Sequence, residues 1–319
     1  MPHRPRNRYL LPMTRLSTGP AEWAASRAHA PGWFDDALSE PFDERFVDVE
    51  DCPIHYLRWG KAGRPGLVLV HGGAANAYWW AHIAPLLGDY CVAALDLSGH
   101  GKSGRRDTYP RELWAREVLA VAEDAEMEGA PIVIGHSMGG FVTIMAAAEY
   151  GDKIAGAVIL DSPVRTVSDE ERVSLATKTF AKPKVYPDFE SALERYRTVP
   201  DQPTSLPYVM DFVSRNSLTQ VDGGYTWSFD PAIFKKVTPR ATADELPRVT
   251  SRVALFRSEH GLVTKDIGQQ MYDLLGRVAP VIEIPEAYHH MMLDQPLLLV
   301  TGLRTLLSDW DHSHPYTRG

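Results

Sequence analysis

Cysteine is almost absent from this 319-residue sequence: Cys52 and Cys91 are the only two. Both sit in apolar, strand-like stretches and read as small buried hydrophobes. A disulfide framework is excluded, and neither has His or Cys neighbours at metal-ligand spacing, so no zinc site is expected of them. Long apolar runs are missing as well. No window supplies the roughly eighteen apolar residues that a membrane span needs. Positive charge is in deficit, with 33 basic against 41 acidic residues and a net charge of -8. Without an extended basic stripe, no nucleic-acid partner is expected. The first seventeen residues do carry Arg4, Arg6, Arg8 and Arg15 with no acid. Their apolar piece, Tyr9 to Met13, is interrupted by Pro12 and is too short for a signal-peptide core. It reads as a loose arm, although an Arg-rich organelle transit peptide shares that composition. The expectation is a cytoplasmic protein, monomer or homodimer.

Hydrophobic content of 44% and charge of 23% are ordinary for a globular chain, and the length suits one large domain or a domain with an insertion. Two strand candidates, Arg45–Val49 and Ile54–Trp59, flank a turn at Asp51-Cys52-Pro53 and predict an antiparallel hairpin. Apolar runs then alternate with helix-prone stretches. The predicted strands are Gly66–Val70, Tyr90–Leu95, Ile132–Ile134, Ile154–Leu160, Arg252–Arg257 and Val281–Ile284. The predicted helices are Ala21–His29, Tyr78–Leu87, Arg111–Glu128, Phe141–Tyr150, Asp266–Leu275 and Pro296–Leu307. This alternation predicts a parallel sheet covered on both faces, with function at the carboxyl ends of its strands. It breaks between Pro163 and Leu246. That stretch predicts helices over Asp169–Thr179 and Phe189–Thr198, then turns irregular and aromatic through Tyr208, Phe212 and Trp227, with Phe180 earlier in it.

The stretch that carries most information is Pro131 to Gly140, PIVIGHSMGG. A short apolar run enters a G-x-S-x-G turn, and a helix-like run leaves it. Such a turn forces the serine into a strained backbone conformation and needs small flanking residues. It also exposes the serine oxygen at a helix N-terminus, where free N–H groups favour a developing anion.

Four segments, in this order, resemble the α/β-hydrolase family in its capped, small-molecule branch: HGGAA at 71–75, DLSGHGKS at 96–103, GHSMGG at 135–140 and YHHMMLDQP at 288–296. The resemblance covers about residues 45 to 310. It implies an α/β-hydrolase fold with a mostly parallel eight-stranded sheet, helices on both faces and a mainly helical cap inserted after the sixth strand. The implied division is an arm and short helix at 1–41, a core at 42–163 and 246–312, a cap at 164–245 and a tail at 313–319.

On this resemblance Ser137 is the nucleophile and His289, rather than His290, its general base. Tyr288 stands where the family's pattern has glycine, and Leu293-Asp294-Gln295-Pro296 completes the loop. The oxyanion donors are the N–H of Met138 and that of Gly73 or Ala74. His71 and His136 are expected in loop hydrogen bonds. The acid departs from the pattern, because the turn after the strand that follows the cap, Phe256 to Val263, contains no Asp. The usual position falls on Gly261 or His260. Asp161, at the end of the strand after the nucleophile helix, is the first choice, Glu259 the second and Asp266 the third.

Trp79, Trp80, His136, Tyr208, Phe212, Trp227 and His290 are the expected substrate-binding residues, lining a mostly apolar pocket. The implied activity is hydrolysis of a small ester, lactone or related acyl compound, without a cofactor. A serine nucleophile argues against epoxide hydrolase and haloalkane dehalogenase chemistry. The alternatives are a C–C bond hydrolase or lyase using the same three residues, and a non-catalytic small-molecule receptor on the same fold.

Overall fold

The computed structural model describes residues 19–164, 184–235 and 242–313. The predicted helix Asp169–Thr179, Phe180, the Arg-rich arm and the end of the tail lie outside them.

The strands are β1 (Asp43–Val49), β2 (Cys52–Trp59), β3 (Pro65–Val70), β4 (Cys91–Leu95), β5 (Glu128–His136), β6 (Gly156–Leu160), β7 (Leu218–Val221), β8 (Gly224–Trp227), β9 (Arg252–His260) and β10 (Val281–Tyr288). Eight of them form one sheet in the order β1-β2-β4-β3-β5-β6-β9-β10. The β1–β2 and β2–β4 pairings are antiparallel, and every pairing from β4 onward is parallel. The alternation predicted the parallel part of this sheet, and the eight-stranded form is the one the motif resemblance implied. In β3, Val68 and Val70 face one core while Leu67 and Leu69 face the other, because successive side chains point to opposite sides of a strand. The first core is closed by the helices Arg111–Asp124 and Met138–Glu149, the second by the helix Pro296–His312 and two short 3-10 turns. No helix among the described residues is long and apolar enough to cross a membrane.

Several local expectations change. The stretch predicted as a helix over Tyr78–Leu87 is two separate 3-10 turns, Ala77–Trp80 and Ala84–Leu87. Asn76 caps the first through the Tyr78 N–H at 3.0 Å, and Pro85 has no N–H to continue a helix from it. β10 runs on to Tyr288, past a register shift after Ile284. The irregular part of the insertion contains a hairpin, β7–β8, turned at Asp222-Gly223 with Gly223 at φ 87°. An Asp-Gly pair between alternating residues is a hairpin signal in its own right.

Residues 19–41 are not peripheral. The helices Pro20–Arg27 and Gly32–Ser39 bury Trp23 and Phe34, and Phe34 packs edge-on against Tyr208 at 4.9 Å and Phe212 at 6.3 Å. They thereby support the insertion's helix Pro207–Arg215.

Candidate active site

Ser137 sits between β5 and the helix Met138–Glu149 at φ 53° and ψ −114°, a strained position for a residue with a side chain. Close packing of strand and helix holds it there. A Cβ on Gly139 would run into the carbonyl oxygens of Val70 and His71, and one on Gly135 into the carbonyl of Gly139. The Ser137 N–H donates to the Leu160 carbonyl at 3.0 Å.

His289 follows β10 and is buried. Its Nε2 lies 2.9 Å from Ser137 Oγ, and its Nδ1 lies 2.7 Å from Asp161 Oδ2. A carboxylate accepts, so Nδ1 carries the hydrogen and Nε2 presents its lone pair to the serine hydroxyl. Asp161 follows β6 at φ 43°. Its carboxylate also accepts the N–H of Leu262 at 2.7 Å, of Val263 at 3.2 Å and of Ser258 at 3.3 Å. Burial works to raise its pKa, but the His289 hydrogen bond and these N–H groups outweigh it and hold the carboxyl below its ordinary range.

The structure thus brings Ser137, His289 and Asp161 together and leaves the other acid candidates out. Glu259 is exposed on β9 and accepts the Glu286 N–H at 2.9 Å. Asp266 accepts the Thr264 hydroxyl at the start of the following helix. The loop of Gly72, Gly73 and Ala74 abuts the serine, since a Cβ on Gly72 would lie 3.3 Å from Ser137 Cβ. Met138 begins its helix, so its N–H has no intrahelical acceptor.

Of the expected substrate contacts, most are occupied elsewhere. Trp80 is wholly buried in the second core. Trp79 is buried and gives its indole N–H to Ser217 Oγ at 3.1 Å. Tyr208 and Phe212 are half-buried and pack edge-on against Phe34. His136 is buried and donates from Nε2 to the His289 carbonyl at 2.9 Å, fixing that loop from below. Burial and then the adjacent His289 push the His136 pKa down to about 3. His290 is buried against the Pro200 carbonyl at 3.1 Å. His71 bridges its loop to the next through the Gly72 carbonyl at 2.7 Å and the Leu97 N–H at 3.1 Å. Trp227 is half-buried and stacks toward Phe229, with ring centroids 6.3 Å apart.

Residues 67–301 match the alpha/beta hydrolase family. This chain belongs to that family. The Mycobacterium tuberculosis esterase Rv0045c is 26% identical over 267 residues, covering 81% of this chain and 88% of that one. The serine hydrolase-like protein of Danio rerio is 28% identical over 268 residues, covering 75% and 80%. The crystal structure of E-2-(acetamidomethylene)succinate hydrolase superposes with a TM-score of 0.71 at 21% identity, over 84% of this chain and 100% of that one, a likeness of fold.

Three features of this α/β hydrolase's site were not anticipated. Gly261 lies so close to Asp161 that a Cβ there would collide with the carboxylate. Phe234 lies over Gly73, where a Cβ would come within 3.1 Å of its ring. Asp294 is buried and accepts from Gln202 at 2.9 and 3.0 Å, from the Tyr288 N–H at 2.9 Å and from the Ser205 hydroxyl at 3.4 Å. Burial pushes its carboxyl up to about 7. The Asp-x-Pro spacing marked Asp294, and an aromatic insertion promised something like Phe234. Nothing local marks a glycine whose reason lies on the neighbouring strand.

Proposed function

We propose that this protein is a serine hydrolase that cleaves a small, mostly apolar carboxylic ester, lactone or related acyl compound through an acyl-enzyme. The observation that carries the reading is the line Ser137 Oγ to His289 Nε2 to Asp161, at 2.9 and 2.7 Å, with the serine in a strained turn. A serine hydroxyl is a poor nucleophile until a base takes its proton. His289 Nε2 takes it as Oγ adds to the carbonyl carbon, and Asp161 orients the ring and stabilises the imidazolium. The carbonyl oxygen becomes an oxyanion held by the N–H of Met138 and of Gly73 or Ala74, donors that typically contribute about 3–4 kcal/mol each to the transition state. The imidazolium then protonates the leaving alkoxide. Water attacks the acyl-enzyme while giving its proton to His289, and collapse returns that proton to Ser137 and frees the acid.

The insertion between β6 and β9 acts as the cap. Phe234 over Gly73, in edge contact with Phe229 at 5.8 Å, puts aromatic surface beside the reacting carbonyl. That supports an apolar substrate, as does the esterase name of the mycobacterial relative. A fluorophosphonate should label Ser137 stoichiometrically, and Ser137→Ala should lose both labelling and ester turnover. An active but unlabelled enzyme refutes this reading. Turnover of vinylogous diketones without turnover of phenyl esters assigns C–C bond hydrolysis to the same three residues.

A further inference from the structure

Three imidazoles meet beside Ser137. The rings of His136, His289 and His290 form a triangle with centroids 4.7, 4.8 and 5.4 Å apart. One nitrogen of each lies within 4.8 Å of those of the other two. Among the described residues no other three His, Cys, Asp or Glu side chains converge in this way. Hydrogen bonds assign the tautomers. The Nε2 of His136 faces the His289 carbonyl and that of His290 faces the Pro200 carbonyl. Carbonyls only accept, so both Nε2 atoms carry hydrogen and both Nδ1 atoms carry bare lone pairs. Both Nδ1 atoms are buried with no hydrogen-bond partner. His289 completes the set, with its Nε2 lone pair engaged by the Ser137 hydroxyl.

Ester hydrolysis uses only the last of these three lone pairs. Neutral imidazole nitrogen is a preferred ligand of zinc, copper(II) and nickel. Asp161 behind His289 supplies the carboxylate–histidine arrangement that raises ligand basicity in metal sites. We infer that His289, His290 and His136 form a binding site for one divalent transition cation, and that its occupancy shuts the active site by taking His289 Nε2 from the serine hydroxyl. Metal–nitrogen bonds of about 2.0–2.1 Å put tetrahedral ligands about 3.3 Å apart. Nitrogens of the three rings that lie up to 4.8 Å apart therefore close by up to about 1.5 Å, with the rings turning to present their bare lone pairs to the ion. Entry is from the Ser137 side, where Ser137 and Met138 are half-buried. Cation binding stands apart from the hydrolase reading, and only the inhibition rests on it.

The test uses full-length Ser137→Ala, freed of metal by chelator and titrated with Co2+ for visible absorption and Cu2+ for nitrogen hyperfine splitting. One equivalent should bind with a multi-imidazole spectrum. In that background Asp161→Asn should weaken binding about 10–100-fold. His290→Gln, which keeps an amide N–H for the Pro200 carbonyl, and separately His136→Gln, should each weaken it at least about tenfold and simplify the nitrogen splitting. Folding of each variant is checked by circular dichroism. In the wild type, Zn2+ should inhibit ester turnover reversibly to chelator. Absence of stoichiometric binding in Ser137→Ala overturns the inference, as does binding unchanged in both folded glutamine variants. A bound-cobalt spectrum in a protein that turns over no ester keeps the site and rejects the hydrolase reading; turnover with no cobalt spectrum does the reverse.

Discussion

Gly261 stands against the carboxylate of Asp161, so close that a single methyl group on it would overlap both oxygens. The carboxylate arrives from the end of β6, and the turn after β9 has no side chain where it stands. That turn then gives the carboxylate two of its N–H donors, from Leu262 and Val263. The two candidate positions for the acid, Asp161 and the turn at Gly261, thus meet at one place beside His289.

Gly261→Ala should therefore impair turnover without removing any reacting group. Displacing the carboxylate by about an ångström misaligns His289, and misplacements of that size cost about a hundredfold in rate. Steady-state kinetics should show the loss in kcat with little change in KM. Unaltered kinetics would mean that the turn yields and the contact is unimportant.

Asp161→Asn should lower kcat by about ten-thousandfold, because the amide presents the wrong partner to the His289 Nδ1–H. Glu259→Gln should stay within about twofold, since that side chain is exposed and bonded to the Glu286 N–H. The reverse ranking would move the acid to Glu259.

The fold was legible because its signals are local and redundant. Apolar runs such as Leu67–Val70 are buried on both faces, and the Gly135 to Gly140 turn admits few alternatives. Ser137 and His289 stand in motifs for the same reason. The surroundings were less legible because they are made by pairings distant in sequence. Tyr208 and Phe212 read as pocket aromatics, and nothing near them announces their packing against Phe34, some 170 residues earlier. Trp79 and Trp80 lie beside the oxyanion loop in sequence, but their rings turn into buried contacts. Alternation and motif spacing carry no information on which of two aromatics faces a void.

Ser217 fastens the insertion to the turn that follows the loop of Gly72, Gly73 and Ala74. Its hydroxyl accepts from Trp79 Nε1 at 3.1 Å and Tyr196 at 3.3 Å, with Asn76 Nδ2 a longer contact at 3.4 Å, and donates to the Val213 carbonyl at 2.8 Å. All of these side chains are buried. Ser217→Ala strands the buried Trp79 and Tyr196 donors at once, while Asn76 Nδ2 keeps the Asn216 carbonyl at 2.9 Å, and each unsatisfied group costs about 1–3 kcal/mol. A loss of about 2–4 kcal/mol in urea unfolding is expected. A loss below 0.5 kcal/mol would show that the donors find other partners.

Asp294 sets a pH dependence of stability. Burial raises its folded pKa from 3.8 to about 7. A raised carboxyl favours the fold while protonated, so its contribution is complete below about pH 4 and is lost as pH rises through 7. By linkage the ionised form costs up to about 4 kcal/mol. Asp294→Asn keeps an acceptor for the Tyr288 N–H and cannot ionise. Its stability relative to wild type should rise between pH 4 and 8 and then level off. Parallel stability curves for the two proteins would show that Asp294 ionises freely in the folded state.

Phe234 should set the size of the accepted acyl group. Its ring covers Gly73, which follows the glycine in contact with Ser137, so it borders the space beside the serine where the proposed substrate would sit. Phe234→Ala removes that surface and opens room beside the oxyanion loop. Each methylene newly buried there contributes about 0.8 kcal/mol, or about fourfold in kcat/KM. A series of p-nitrophenyl esters of increasing acyl length should show wild-type activity falling off at a shorter chain than the variant's. The shortest ester should lose activity in the variant, because the small acyl group no longer fills its surroundings. If the two chain-length profiles coincide, Phe234 is packing only and specificity is set elsewhere in the cap.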